Sequence, residues 1–185
     1  MISEIMANAS DHMEKTHEAL LNEFASVRTG RASSKLFELV TVDAYGSPMP
    51  LNQLSNIKNL DAHTILIEPW DKTLITAIDK AIQKSDLGLS PNNDGSVIRV
   101  SFPMLTEERR TELAKLCKGY AEQARVAIRN IRRDANQKLD KLGKDHEVSE
   151  DEVRRSETEV QKLTDAAIAK IDDSLKRKEA EIMEV

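Results

Sequence analysis

The sequence predicts an α+β protein, an elongated three-helix bundle with a small β/α/β domain inserted into it. Three long segments, residues 2–27, 105–142 and 149–182, carry apolar residues at the three- and four-residue spacing of amphipathic helices. Between residues 31 and 103 this spacing gives way to short β-type segments separated by turn residues. The bundle domain is therefore predicted to comprise residues 1–30 and 104–185, and the inserted domain residues 31–103.

The first long helix is predicted to run from Ile2 to Val27. Ser3 is its expected N-cap, because a serine hydroxyl can accept a hydrogen bond from a free backbone N–H of the first turn. Gly30 is expected to end the helix in the left-handed conformation that glycine adopts most easily. The apolar side of this helix is formed by Ile2, Met6, Ala9, Met13, Leu20, Phe24 and Val27.

The inserted domain is predicted to contain strands at residues 36–45, 55–60, 64–68 and 96–102. Turn residues separate them at 46–48, 61–63 and 91–95. One helix interrupts the strands: Asp71 can cap it, Ile75, Ile78 and Ile82 form its buried side, and Gly88 follows its end.

Two short segments, residues 29–31 and 102–105, join the domains, and we expect them to act as a hinge. Gly30 gives the first segment backbone freedom, whereas Pro103 restricts the second. The alternative is that both segments are rigid joints. The predicted hinge residues are Thr29, Gly30, Arg31, Phe102, Pro103, Met104 and Leu105.

The middle helix is the longest, from Leu105 to Leu142, and spans roughly 55 Å at 1.5 Å per residue. Thr106 is its expected N-cap, and Gly143 is expected to end it. Its predicted buried stripe consists of Leu113, Cys117, Tyr120, Ala124, Ala127, Ile131, Ala135, Leu139 and Leu142. The third helix begins with the capping-box pattern of Ser149 and Glu152. Because the link before it is short, it should lie antiparallel to the middle helix.

Positive charge is concentrated on the middle helix. The net charge is −3 over residues 1–30, −1 over 31–103, +4 over 104–142 and −5 over 143–185. Within 115–133, six basic residues stand against one acid, Glu122. Lys118, Arg125, Arg129 and Arg132 fall within about 60° of one another around the helix, with Arg133 just beyond.

This basic stripe predicts contact with RNA phosphate. Its arginines Arg125, Arg129, Arg132 and Arg133 are expected to have no nearby acid except Glu122 and Asp134. A guanidinium is suited to bidentate phosphate binding, and the acidic remainder of the chain would repel non-specific RNA. The alternative is a basic face that merely keeps the bundle soluble.

Other function classes find little support. No phosphate-binding glycine loop, metal-ligand spacing or export signal is recognisable, and no apolar run is long enough to span a membrane. Cys117 is expected to be a buried apolar residue, and Trp70 to be a packing anchor. We therefore predict a cytoplasmic protein that is not an enzyme and needs no metal or cofactor.

Several strings resemble the ribosome recycling factor family of bacteria and organelles, and the resemblance covers essentially the whole chain. The family is identified by strings that occur in one order: residues 28–33 (RTGRAS), 85–89 (SDLGL), 105–110 (LTEERR), 129–136 (RNIRRDAN) and 161–165 (QKLTD). The resemblance implies a three-helix bundle and a β/α/β domain in an L shape that mimics transfer RNA.

The same resemblance implies a function. With elongation factor G and its GTP, such a factor disassembles the 70S-type ribosome left after termination, so that the subunits are reused. It would bind large-subunit ribosomal RNA as a monomer, without catalytic residues of its own. The implied RNA contacts are Arg129 and Arg132, with Arg28, Arg31, Arg109, Arg110, Lys118, Arg125 and Arg133 around them. A helical adaptor that binds proteins through its acidic helices is the alternative function.

Overall fold

The computed structural model describes residues 1–184, which begin with helix α1 (Ile2–Ser26). The predicted cap at Ser3 is wrong, because the helix already starts at Ile2 and no side chain caps it. Gly30 does not end the helix either. Val27 leaves it in an extended conformation with φ −82° and ψ 108°. The positive φ of Gly30, +74°, therefore serves the segment beyond the helix and not the helix end itself.

The next part of the chain forms a hairpin, a four-stranded sheet and one helix. Strands β1 (Thr41–Ala44) and β2 (Ser47–Pro50) pair as the hairpin. They are followed by β3 (Ser55–Asn59), β4 (Thr64–Pro69), helix α2 (Ile75–Lys84), β5 (Pro91–Asn93) and β6 (Ile98–Ser101). The larger sheet has the order β3-β4-β6-β5 and is antiparallel throughout.

The observed strands differ from the predicted ones in three places, and proline is involved in two of them. Segments 46–48 and 91–95 were predicted as turns, yet Pro48, Pro50 and Pro91 lie in β2 and β5. Both strands lie at a sheet edge, where a residue without an N–H breaks no ladder hydrogen bond. The strand predicted at residues 36–45 is shorter in the structure, where β1 covers only Thr41–Ala44, because Ser34–Leu39 forms a 3₁₀-helix before it.

The core of this part lies between the sheet and α2. β4 alternates part-buried and buried residues, so that Ile65 and Ile67 both point inward. Ile78 and Ile82 of α2 are fully buried against the same core, as the sequence predicted. Asp71 accepts a hydrogen bond from the Thr73 N–H, at the start of a short 3₁₀-helix that leads into α2.

Two long helices complete the chain, α3 (Glu107–Lys144) and α4 (Glu150–Met183). Thr106 caps α3, and Ser149 and Glu152 form a capping box on α4, which confirms both predictions. Gly143 does not end α3, because the helix continues to Lys144 and His146 takes the positive φ. A Cβ atom at residue 143 would lie 3.0 Å from Val153 Cγ2, so the glycine allows the start of α4 to pass close by.

Helices α1, α3 and α4 pack pairwise as a three-helix bundle. On α3 the most deeply buried side chains include Cys117, Ala121 and Ile128, whereas Tyr120, Ala127 and Ile131 of the predicted stripe are only part-buried. α3 packs against both α1 and α4, and the buried positions Ala121 and Ile128 lie one residue C-terminal to Tyr120 and Ala127 of the predicted stripe. Cys117 is fully buried, and this burial raises the pKa of its thiol.

The chain divides into two compact units. The bundle unit comprises Met1–Arg28 together with the chain from Thr106 onward, and the inserted unit comprises Thr29–Leu105. The α+β fold class, with a small antiparallel β/α/β unit inserted between the first and second long helices, is confirmed.

The capping box gives a first test of how the bundle is stabilised. Replacing Ser149 by alanine leaves the Glu152 N–H without its side-chain acceptor, so we expect a loss of about 1 kcal/mol in the free energy of unfolding. Urea unfolding followed by far-UV circular dichroism measures the change. Ser3→Ala is the matched control, because Ser3 caps nothing and should change stability by less than about 0.5 kcal/mol. Equal losses in the two variants would contradict the assignment of the cap.

Candidate nucleic-acid interface

The basic residues of α3 lie along the groove that α3 forms with α4. Three of them, seven residues apart, each reach a polar side chain of α4. Lys118 Nζ lies 3.8 Å from Glu179 Oε1, Arg125 pairs with Asp172, and Arg132 Nη1 donates to Gln161 Oε1 at 3.3 Å. In antiparallel helices these contacts form a ladder of cross-helix pairs.

Arg125 is the central member of this ladder. Its Nε and Nη2 both donate to Asp172 Oδ1, at 2.9 and 2.6 Å, and its Nη1 donates to Glu122 Oε2 at 3.0 Å. Its side chain is only 21% exposed, and the hydrogen bonds to Asp172 raise the pKa of the guanidinium. The sequence interpretation that Arg125 lacks acids other than Glu122 and Asp134 is therefore wrong, because α4 supplies Asp172. Arg125 joins two helices of the bundle.

Arg129 lies one turn further along and is more accessible. Its side chain is 45% exposed, and its Nη1 lies 3.2 Å from Glu122 Oε1. Glu122 is thus shared, and the hydrogen bonds from Arg125 first and Arg129 second hold the pKa of its carboxyl below the ordinary value. An exposed ion pair of this kind is weak, so Arg129 can exchange Glu122 for a stronger anion at little cost.

Arg132 and Arg133 have no carboxylate partner among residues 1–184. The contact of Arg132 with Gln161 is to a neutral amide, and Arg133 is exposed without a hydrogen bond or ion pair to any described residue. Residues 129, 132 and 133 lie on one side of the helix, since neighbours three and four positions apart share a face. We call Arg129, Arg132 and Arg133 the arginine face.

The two arginines in the first turns of α3 differ from each other. Arg109 is exposed and pairs with Glu112 at 2.9 Å. Arg110 is only 8% exposed, and its Nη1 donates to the Met183 carbonyl at 3.2 Å. The expectation that Arg110 lies at an RNA-facing surface is corrected here, because this side of the first turn packs against the last turn of α4. Its Nε has no hydrogen-bond partner among the described residues.

The remaining predicted site residues lie in or beside the segments that join the two units. Arg28 is exposed in the bundle unit, and Arg31 is exposed in the inserted unit. Of the predicted hinge residues, Phe102 is buried, Thr29, Gly30 and Leu105 are part-buried, and Pro103 and Met104 are exposed. Thr29–Leu105 all belong to the inserted unit.

The sequence analysis did not identify the α4 residues that pair with the basic stripe. Asp172 and Glu179 are seven residues apart, as Lys118 and Arg125 are. This matched spacing is the signal from which the pairs could have been found, once the antiparallel register of α3 and α4 is known. Periodicity along one helix does not contain that register.

Two features of other protein classes are absent from the described part of the chain. None of its helices combines the length and the apolar character that crossing a bilayer requires. Residues 1–184 also contain no cluster of three or more histidine, cysteine, aspartate or glutamate side chains suited to a metal ion.

Comparison with known proteins identifies close relatives. The family model of ribosome recycling factor matches residues 20–183. The chain is 53% identical to the ribosome-recycling factor of Heliobacterium modesticaldum and 55% identical to that of Geobacillus kaustophilus, with 100% of both chains covered in each case.

Solved structures give the same result. A solution structure of ribosome recycling factor is similar with a TM-score of 0.74 and 42% identity, over 100% of this chain and 98% of the other. A further match, at 45% identity, a TM-score of 0.62 and full coverage of both chains, comes from models for the T. thermophilus ribosome recycling factor and the E. coli elongation factor G bound to the E. coli post-termination complex.

Proposed function

Because the chain belongs to the ribosome recycling factor family, we propose that it acts with elongation factor G and GTP on the ribosome left after termination, and that it separates the subunits for reuse. The observation that carries this proposal is full-length similarity to relatives of that name, together with a similar structure that is bound to a post-termination complex beside elongation factor G.

The arginine face is the surface that we assign to large-subunit ribosomal RNA. Arg132 and Arg133 present charges that no described carboxylate neutralises, and Arg129 presents one held only by an exposed pair. Because a phosphate accepts paired hydrogen bonds from a planar guanidinium, these side chains can bind an RNA backbone without rearranging the bundle core. Lys118 and Arg125 support the same groove from within the ladder. Arg28, Arg31 and Arg109 are secondary candidates.

The protein contributes binding and movement in this proposal, and the nucleotide chemistry belongs to the partner. The chain is expected to work as a monomer in the cytoplasm, without catalytic residue or cofactor, and its inserted unit is expected to move against the bundle during splitting. The adaptor alternative depends on a free acidic face; Asp172 and Glu179 face α3, whereas other acids of α4, such as Glu159, Asp165 and Asp173, remain exposed.

Light scattering of post-termination ribosomes tests the proposal directly. We expect the scattering to fall, as subunits separate, only when this protein, elongation factor G and GTP are all present. Omission of any one of the three, or replacement of GTP by GDP, should leave the signal unchanged. Intact ribosomes in the complete mixture would contradict the proposal, and splitting without GTP would contradict the assigned role of elongation factor G.

A further inference from the structure

The loop between β3 and β4, residues 60–63, contacts the segment by which the chain enters the inserted unit and the segment by which it leaves. The Ala32 N–H donates to the Ala62 carbonyl at 2.8 Å, and the Phe102 N–H donates to the His63 carbonyl at 2.7 Å. The Nδ1 atom of His63 lies 3.2 Å from the Gly30 carbonyl oxygen, which accepts a hydrogen bond from the Nδ1–H form of the ring. One short loop therefore binds the chain both where it enters the inserted unit and where it leaves it.

The loop itself is well braced. The Asp61 side chain accepts a hydrogen bond from the His63 N–H at 2.8 Å, and the Leu60 N–H donates to the Thr64 carbonyl at 3.0 Å. The first of these bonds closes an Asx turn, which orders the loop backbone. It is also the main reason why the pKa of the Asp61 carboxyl lies below its ordinary value.

The two segments are fixed by packing as well. Phe102 is buried and meets Phe37 edge to face, with ring centroids 6.3 Å apart, and Ala32 is buried in the same core. A Cβ atom at residue 30 would lie 3.2 Å from both the Pro103 carbonyl oxygen and Leu105 Cγ, so Gly30 lies directly against the outgoing segment. Bending at Gly30 or Phe102 would break these contacts.

We propose that the β3–β4 loop fastens residues 30–32 and 102 to the inserted unit, with His63 as the positioning residue, so that bending occurs at Arg28–Thr29 and Leu105–Thr106 and not at Gly30. Its relevance to recycling rests on the proposed function, in which the inserted unit moves. The hinge that the sequence predicted over residues 29–31 and 102–105 is thereby narrowed to the outer ends of these segments, where rotation leaves the loop contacts intact.

Residual dipolar couplings of the full chain in solution locate the pivot without any variant. An alignment tensor is fitted separately to α3 with α4 and to the four-stranded sheet. We expect the tensors to differ, and the amide couplings of Gly30, Ala32 and Phe102 to agree with the tensor of the sheet. Agreement of these amides with the bundle tensor, or with neither, would overturn the proposal. A single common tensor would overturn it too, because the chain would then not bend.

Amide hydrogen exchange tests the role of His63. In His63→Ala we expect the Ala32 amide to exchange at least about tenfold faster, while the amide of Ile67 inside the sheet keeps its rate. His12→Ala is the matched control, because His12 Nδ1 also meets a backbone carbonyl, that of Asn8 at 2.7 Å, but far along the chain on α1. An unchanged rate at Ala32, or equal acceleration at Ile67, would remove the positioning role. These measurements need no ribosomes, so their outcome is independent of the splitting assay.

Discussion

Replacing Arg129 and Arg132 together by alanine is expected to weaken ribosome binding strongly while leaving the bundle folded. The slope of log affinity against log salt concentration should become shallower by roughly 0.7 to 0.9 for each phosphate that the variant no longer binds. The physical reason is that each guanidinium that binds a phosphate releases counterions condensed on the RNA, and this release makes the affinity depend on salt concentration. Neither side chain is buried, and the pairs that they leave, with Glu122 and Gln161, lie at the surface, so the free energy of unfolding should change by less than about 0.5 kcal/mol.

Three further variants sharpen this experiment. Arg129→Lys with Arg132→Lys should recover only part of the affinity, because an ammonium keeps the charge but loses the planar arrangement of donors. Arg154→Ala with Arg155→Ala removes the same charge from two exposed arginines of α4 and should have a much smaller effect. Glu122→Gln should strengthen binding, because it frees Arg129 from its carboxylate.

Ribosome binding is measured by co-sedimentation over a range of salt concentrations, and folding by circular dichroism. An unchanged salt slope in the double alanine variant would show that the arginine face does not meet phosphate. An equal loss of affinity in the α4 control would show that binding depends on total charge and not on this face.

Replacing Ile128 by alanine is expected to give a large loss of stability, about 2 to 5 kcal/mol of the free energy of unfolding of the bundle. Ile128 is fully buried in α3, so its truncation removes apolar contacts and leaves a cavity. A loss of this size is a large fraction of the roughly 5 to 15 kcal/mol typical of a folded domain. Urea unfolding followed at the helical circular dichroism band reports mainly on the bundle, which contains the three long helices.

Ile131→Ala is the matched control for this measurement. Ile131 has the same side chain in the same helix, and the sequence pattern placed it in the buried stripe, but in the structure it is only part-buried. We therefore expect it to cost clearly less than Ile128→Ala. A cost at Ile131 equal to or greater than that at Ile128 would mean that the buried side of α3 is the one predicted from periodicity.

Local rules predicted much of this fold from the sequence. Both polar caps of the long helices, Thr106 and Ser149, lie where hydroxyl residues precede acidic first turns, because capping depends only on residues within one helical turn. The buried isoleucines of α2 follow from helical spacing, and β4 follows from a short segment of β-type residues next to turn residues. The exact helix ends at Gly30 and Gly143 were wrong, since a glycine permits a helix end but does not require one.

Tertiary packing decided the features that depend on two segments remote in sequence. Trp70 was expected to be a packing anchor and is 69% exposed, because the inward positions at the end of β4 are taken by Ile65, Ile67 and Pro69. Pairing between helices also determined which arginines remain available to a ligand. Arg125 has its charge matched by Asp172, 47 residues away, and Arg110 lies beneath the last turn of α4.

The sequence by itself determined the four α-helices, strands β1, β3, β4 and β6, the inserted unit and the position of positive charge on the middle helix, because each depends on residue types and spacing over short stretches. Only the tertiary structure decided which members of the basic stripe lack a carboxylate partner among residues 1–184, namely Arg132 and Arg133, and which loop contacts residues 30–32 and 102. Those outcomes depend on the register between antiparallel helices and on backbone hydrogen bonds of the β3–β4 loop, and neither leaves a periodic pattern in the chain.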